Sequence, residues 1–491
     1  MQQAPIKSSY RQQVKVKSLA APMKGLHTAA PITATPEGHA LRLENWICRT
    51  TGLKTRDGYS VVASGLGSPV VSIMAHRNRI FASTSAQLFD GATPIPGFLM
   101  YGGDWHHALM TNSAGLFLIA TNGGDGVRVF DGAAWSVVTF DGVDASTIVT
   151  LCVHQSRLWL VPNSGLTIYY CDLDCFAGPV HPVYLQQLAR KGGSVAAIAS
   201  LTSDGGVSAN DKLMAVTDQG EMILWTGVDP AKDFQQSGVY NVSAPIGRRC
   251  FVPYGGGIAY LSTSGVLPIP DILPRVDPNK PIAAISEVIQ PTLNAALTSG
   301  AWQMAESIEN ELFVVSGPNG QYVRSGTDGW SSFSGLNATC WLNAAGALYF
   351  GTSTGTVCQY GGLTDNGSVI NSYLVDRFDR MGTLSIKSVS QVRPMLNAAR
   401  NYRPRIQMLA NYFDPPATFD ARYTNALAYQ WEDISYAMQP ADWTRTNTSR
   451  QALWRSCAGQ GTEFALLMGL KTKNPVLYTG YDLQYEIGAT L

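Results

Sequence analysis

A mainly β protein is predicted by three features of this sequence. A short hairpin pattern recurs through its middle, a large apolar fraction accompanies little charge, and alternating strands fill its C-terminal quarter. Hydrophobic residues are 45% and charged residues 14% of the 491, against roughly 25% charged in ordinary soluble domains. Gly (48) and Pro (26) together make up about 15%, moderately above the usual ~12%. Such a composition fits a turn-rich β protein. It argues against a coiled coil, a helical solenoid and a disordered chain, which need more charge or less hydrophobicity.

In chain order, residues 1–17 carry Lys7, Arg11, Lys15 and Lys17 and no acid. They read as a basic N-terminal arm that is mobile unless a partner fixes it; a solvated tail is the alternative. Residues 18–68 read as an N-terminal β segment packing on the platform that follows. The opening MQQAPIKSSYRQQVKVKS has no apolar core of a secretory signal, and no window offers the 18 or more apolar residues of a membrane helix. The expectation is a chain made and kept in a cytoplasm, unless it leaves as part of something larger.

The repeat occupies residues 69–362. An apolar run, a Ser, Thr or Pro, a Gly-containing turn and a second run begin at Ile80, Leu116, Leu158, Leu213, Ile258, Leu312 and Leu348. Each unit has the signature of paired antiparallel strands, and another apolar stretch precedes each. Three- or four-stranded units recurring every ~40–50 residues point to β-propeller blades, since one such sheet cannot bury both faces alone. The reading is an imperfect β-propeller-like domain of six to seven blades, with a β-sandwich or barrel as the alternative. The pattern breaks at about 280–298, where Ile282, Ile285, Ile289, Leu293 and Leu297 have helical spacing. This predicts a short helical insertion, kinked or split by Pro291.

From 370 to 491 the hairpin repeat stops but strand signals persist. In YDLQYEIGATL, Tyr481, Leu483, Tyr485 and Ile487 alternate with Asp482, Gln484 and Glu486. That is a half-buried antiparallel strand, and the region reads as a separate C-terminal antiparallel β domain, sandwich-like in broad terms.

Chemical motifs are scarce. There is no G-x-S-x-G, H-E-x-x-H, P-loop or G-x-G-x-x-G opening a helix. Eight scattered cysteines include one C-x3-C pair, Cys171 and Cys175, without a second half. They read as reduced, mostly buried thiols. His106 and His107 are adjacent, and neighbours in a strand face opposite ways, so one metal ion is not expected to take both. Asp90, Asp131, Asp141, Asp229 and Asp328 each lie beside Gly or Pro, where Asp shapes turns. No catalytic residue, metal ligand or cofactor is nominated. A formal net charge of +0 gives no global field for nucleic acid or an anionic membrane.

Three stretches carry a family likeness. Residues 21–59, APMKGLHTAAPITATPEGHALRLENWICRTTGLKTRDGY, hold an A-L-x-L-E-N-W strand and a G-x-x-x-R-x-G-Y hairpin. Residues 220–273 hold a W-T-G-V-D-P element, then P-I-G-R-R and a T-S-G-V-L-P turn. The ending PVLYTGYDLQYEIGATL holds Y-E-I-G-A-T-L. Together they resemble the structural virion proteins of tailed phages, most of all the tail nozzle, or tail-hub, proteins of short-tailed phages. His27, Ile47-Cys48 and Ala489 depart from the family pattern. The resemblance implies a homo-oligomeric ring of six copies, part of the head–tail connector complex. It would sit below the portal and adaptor rings, extend the DNA conduit, help retain the genome until ejection and dock tail fibres or spikes. Genomic double-stranded DNA would pass without sequence-specific contact, and the tip could meet the host envelope. Low charge suits wide permanent interfaces. No catalytic residue comes with this family. The alternatives are a propeller recognition module of a tail, binding a receptor or glycan, and a propeller hydrolase, for which no acid pair is nominated.

Overall fold

The computed structural model describes residues 14–97, 101–201, 211–269, 283–297, 301–326, 328–398, 402–416, 419 and 449–488. The chain divides into two compact units. One takes Tyr59–Val323 and Ser334–Gly362; the other takes Met1–Gly58, Arg324–Phe333 and Leu363–Leu491. The first is therefore inserted, in sequence, into the second.

The inserted unit is a β-propeller of seven blades, the upper end of the expected count. Its innermost strands are Ser72–His76, His106–Asn112, Ile148–His154, Val195–Leu201, Phe251–Tyr254, Gln303–Ser307 and Ala338–Ala344. These strands neighbour one another from the fifth blade through the seventh and first to the fourth. Behind each, the chain runs outward through consecutive antiparallel hairpins. Blade seven draws its outermost strand from far upstream: Tyr59–Ala63 pairs with Val357–Tyr360, Tyr59 opposite Tyr360. This pairing joins the start of the unit to its last blade and satisfies an otherwise open edge. The boundary expected at residue 68 thus lies at Gly58.

Apolar side chains fill the gaps between blades. Phe81, Trp105, Leu118 and Phe130 pack between blades one and two, and Trp159, Tyr170, Leu213 and Ile223 between three and four. The Ser or Thr of the repeat also has a task. Ser83 Oγ donates to the Gly103 carbonyl and Thr121 Oγ1 to the Ile148 carbonyl, each tying one blade to the next. In other blades the same position closes its own turn. Ser262 Oγ donates to Gly265 O at 3.0 Å, and Thr217 Oγ1 accepts from Glu221 N at 3.1 Å. Buried hydroxyls need such partners.

Among the described residues blade five has three strands and a different edge. A 3-10 turn, Glu287–Ile289, leads into one short helix, Gln290–Ala296. Pro291 lies in the first turn of that helix, where a missing N–H costs nothing. It starts the helix and does not kink it, which corrects the expectation; Ile282 lies outside the described residues. Ile285 N donates to Val266 O at 2.9 Å and Val266 N to Ser286 Oγ at 3.1 Å. The segment thereby covers the edge where a fourth strand would pair. Gly265, at φ +101°, leaves room for it: a Cβ there would meet Gln290 Oε1 at 2.2 Å.

The other unit mixes strands from both ends of the chain. Val476–Ile487 pairs along its length with Lys387–Ala398, and on its other side with Lys15–Ala20 and Gly52–Thr55. In a second sheet, His39–Glu44, Ile370–Asp376, Phe464–Thr472 and Arg405–Ala410 are successive antiparallel neighbours. Residues expected to form a separate N-terminal segment and a C-terminal domain build one β unit. Lys15 and Lys17 are strand residues here, not part of an arm, and Lys17 Nζ lies 2.6 Å from Asp379 Oδ1. Lys7 and Arg11 lie outside the described residues.

Candidate functional site

Two arginine clusters, one in each unit, differ in how far they are sealed from water. In the terminal-strand unit, Arg56 of the R-x-G-Y motif has a side chain only 1% exposed. Its guanidinium is bidentate to Asp365 at 2.7 and 2.8 Å, donates through Nε to Asn45 Oδ1 at 2.8 Å, and reaches Asp57 O at 2.9 Å. Beside it, a Cβ on Gly58 would lie 2.0 Å from the Thr364 carbonyl, so only glycine fits. The cluster links residues 45–58 to 364–365, where the chain leaves for the propeller and returns. It is closed and fully partnered, as a buried cation must be.

The second cluster lies on the propeller axis. Residues just ahead of several innermost strands converge on a cavity of about 520 Å³ bordered by Val70, Asp104, Arg248, Arg249, Trp302 and Thr339. An adjoining space of about 250 Å³ shares Arg248 and Arg249 and takes a residue from every blade, among them Ile73, His107, Leu151, Ile198 and Trp341. Arg249 ties the axis together. It donates to the Asp104 carboxylate, to Trp105 O at 3.1 Å and to Gln303 Oε1 at 2.9 Å. Gln303 Nε2 continues to Trp341 O at 2.9 Å. Blades two, five, six and seven are joined by this one network.

Arg248 is exposed and has no partner among the described residues. His106 and His107, which open the strand of blade two, border the same space. Burial holds the His107 imidazole down at about 4, and Arg249 adds to the effect. Burial, then Arg249, also lowers His106, whose Nε2 is buried without a hydrogen-bond partner. Both rings are neutral at pH 7 and feel a positive field. The arrangement can hold an anion; it offers no activated nucleophile. Burial raises the thiols of Cys48 and Cys171 to about 12 and of Cys340 to about 11, so they stay protonated.

The other sequence candidates fall where turn chemistry puts them. Asp131 Oδ1 accepts from Ala133 N and Ala134 N at 2.7 and 2.8 Å, and Asp229 Oδ1 from Ala231 N at 3.2 Å. Asp90 pairs with Arg79. Among the described residues no group of three His, Cys, Asp or Glu could hold a metal ion, and no helix is long and apolar enough to cross a membrane. Asp104 is the one acid bordering the larger cavity among the described residues. Sequence reading singled out neither Arg56 nor Arg249 as a site. Their signal was present, since both lie inside quoted motifs, R-x-G-Y and P-I-G-R-R.

No protein-family model and no curated protein matches the chain. Solved structures do. YCF48 bound to a D1 peptide is 12% identical, with a TM-score of 0.39 over 62% of this chain and 95% of that one. BBS1N in complex with ARL6DN is 12% identical, TM-score 0.41, over 66% and 99%. The β-propeller domain of Cps50 (Swd1) from Myceliophteria thermophila is 12% identical, TM-score 0.39, over 62% and 99%. The propeller itself rests on the strand pairing described above.

Proposed function

We propose that this chain is a non-enzymatic β-propeller module that works by contact, and specifically a ring-forming nozzle or hub of a phage tail. The observation that carries this reading is where the family-like stretches fall. Residues 21–59 and the terminal PVLYTGYDLQYEIGATL, more than four hundred positions apart, share one sheet: Gly52–Thr55 pairs with Val476–Ile487 at Leu477 and Tyr478. Residues 220–273 supply the Arg249 network on the propeller axis. The motifs that carry the likeness therefore hold the fold together in both units. A sequence only 14% charged suits permanent subunit contacts.

The reading is tested by measuring the mass of the purified chain alone and with adaptor rings, and by electron microscopy of negatively stained particles. Six-copy rings are expected; a chain that stays monomeric in both conditions overturns the proposal. A second reading, a propeller recognition module, is favoured by the unpartnered Arg248 at the axial cavity. Retention of the isolated chain on immobilised host glycans or receptor, without ring formation, would select it.

A further inference from the structure

We propose that the axial cavity of the propeller is a binding site for a small organic anion, a carboxylate carried on an aromatic or branched aliphatic body. The proposal does not depend on the phage-tail reading. Its first support is size: about 520 Å³ falls within the ~300–1,000 Å³ of small-molecule sites. The second is charge. Asp104 is committed to Arg249, which leaves the Arg248 guanidinium as an uncompensated cation at the cavity. A guanidinium pairs with a carboxylate through two parallel hydrogen bonds.

The third support is the wall. Pro69, Val71, Ile246 and Pro318 present apolar surface, so the rest of the ligand must be apolar to gain from burial. His106 borders the same cavity, and its buried Nε2 has no hydrogen-bond partner. Burial is the main cause of the lowered proton affinity of His106 and His107, and Arg249 adds to it in both cases; that added part has the sign of a positive field, which an anion would relieve. A nucleic acid would require a basic stripe where this site, among the described residues, has one free cation. A sugar would require several convergent donors and acceptors where the wall is mostly apolar.

The test uses the full chain and a matched pair of probes, 3-phenylpropionate and its neutral amide, 3-phenylpropionamide, followed by titration calorimetry and saturation-transfer NMR. Wild type is expected to bind the carboxylate about tenfold more tightly than the amide, with affinity falling as salt rises. Arg248→Gln should abolish that preference. Because Arg248 is exposed and unpartnered, the variant should melt at the wild-type temperature. A second variant, Ile246→Trp, at a partly exposed position of the wall, narrows the cavity and should weaken both probes. Equal binding of the two probes to wild type, an Arg248→Gln protein that still prefers the carboxylate, or no binding of either probe would each overturn the proposal.

Discussion

Arg56 and Arg249 make the same kind of contact and do different work. Each guanidinium meets a carboxylate and further oxygen acceptors in its own unit. The Arg56 side chain is 1% exposed and its partner Asp365 11%, whereas Arg249 and Asp104 are 23% and 57% exposed. In the closed cluster the guanidinium is sealed among Asp365, Asn45 and Asp57, so its effect is on folding. In the open one a second arginine stands unpaired beside a cavity. Burial is what separates a structural ion pair from a binding site, because water screens the open pair and can be displaced from it.

The largest predicted effect follows from the closed cluster. Asp365→Ala leaves the Arg56 guanidinium buried without its carboxylate, and removing one partner of a buried pair costs about 3–5 kcal/mol. Chemical denaturation should show the loss in the transition of the terminal-strand unit. A change below ~1 kcal/mol would mean that the pair is no more consequential than a surface one, and the contrast with Arg249 would fail.

The next effect is a pH dependence in the propeller. His154 is 2% exposed, its Nδ1 lies 2.8 Å from Ser200 Oγ, and burial lowers its proton affinity to about 4. An unfolded histidine titrates near 6.5. Below that pH the unfolded chain takes up a proton the folded one refuses, so stability falls from about pH 6.5 towards 4 and is full above. By linkage the loss at pH 5 is about 2 kcal/mol. His154→Asn should flatten the dependence between pH 7 and 5 by about that amount, whatever it costs at pH 7. Parallel curves for variant and wild type would refute the assignment.

Arg249→Gln should cost less than Asp365→Ala, about 1–2 kcal/mol, because its pair is partly solvated and the glutamine keeps some polar contact. The same variant unties Asp104 from Gln303 and frees a carboxylate in the axial cavity. It should therefore weaken binding of an anionic probe more than it weakens the fold, the reverse of what Asp365→Ala does.

The ranking also explains what could be read in advance. Hairpins declare themselves in a few consecutive residues, as in LMAVTDQGEMILWTGVD, so the repeat and the propeller were legible. The closing strand Tyr59–Ala63 was not, because its partner Val357–Tyr360 lies almost three hundred positions away and YSVVA looks like any strand. The same non-locality hid the shared sheet of Lys15–Ala20 and Val476–Ile487, and made Lys15 and Lys17 look like an arm. Pro291 was read as a kink since composition shows a helix and a proline, but not which of them begins first. Arg56 and Arg249 sat in quoted motifs, yet only the fold shows which of them is sealed.

The smallest effect probes how blades are held to one another. Thr121 is fully buried, and its hydroxyl donates to the Ile148 carbonyl that begins the next blade. Thr121→Val keeps the shape and removes the donor. One carbonyl then lacks its partner, which costs about 1–2 kcal/mol, while the added methyl group packs beside Ile119, Val127 and Ile148 of the same interface. Thr121→Ser keeps the donor and loses a methyl instead, about 1 kcal/mol of burial. If the inter-blade bond matters, the valine variant should be the less stable of the two in urea. If apolar packing between blades dominates, the serine variant should be the worse. The corresponding Ser262, whose hydroxyl closes its own turn, supplies the control: Ser262→Ala should loosen one hairpin and leave exchange of the neighbouring blade's backbone amides unchanged.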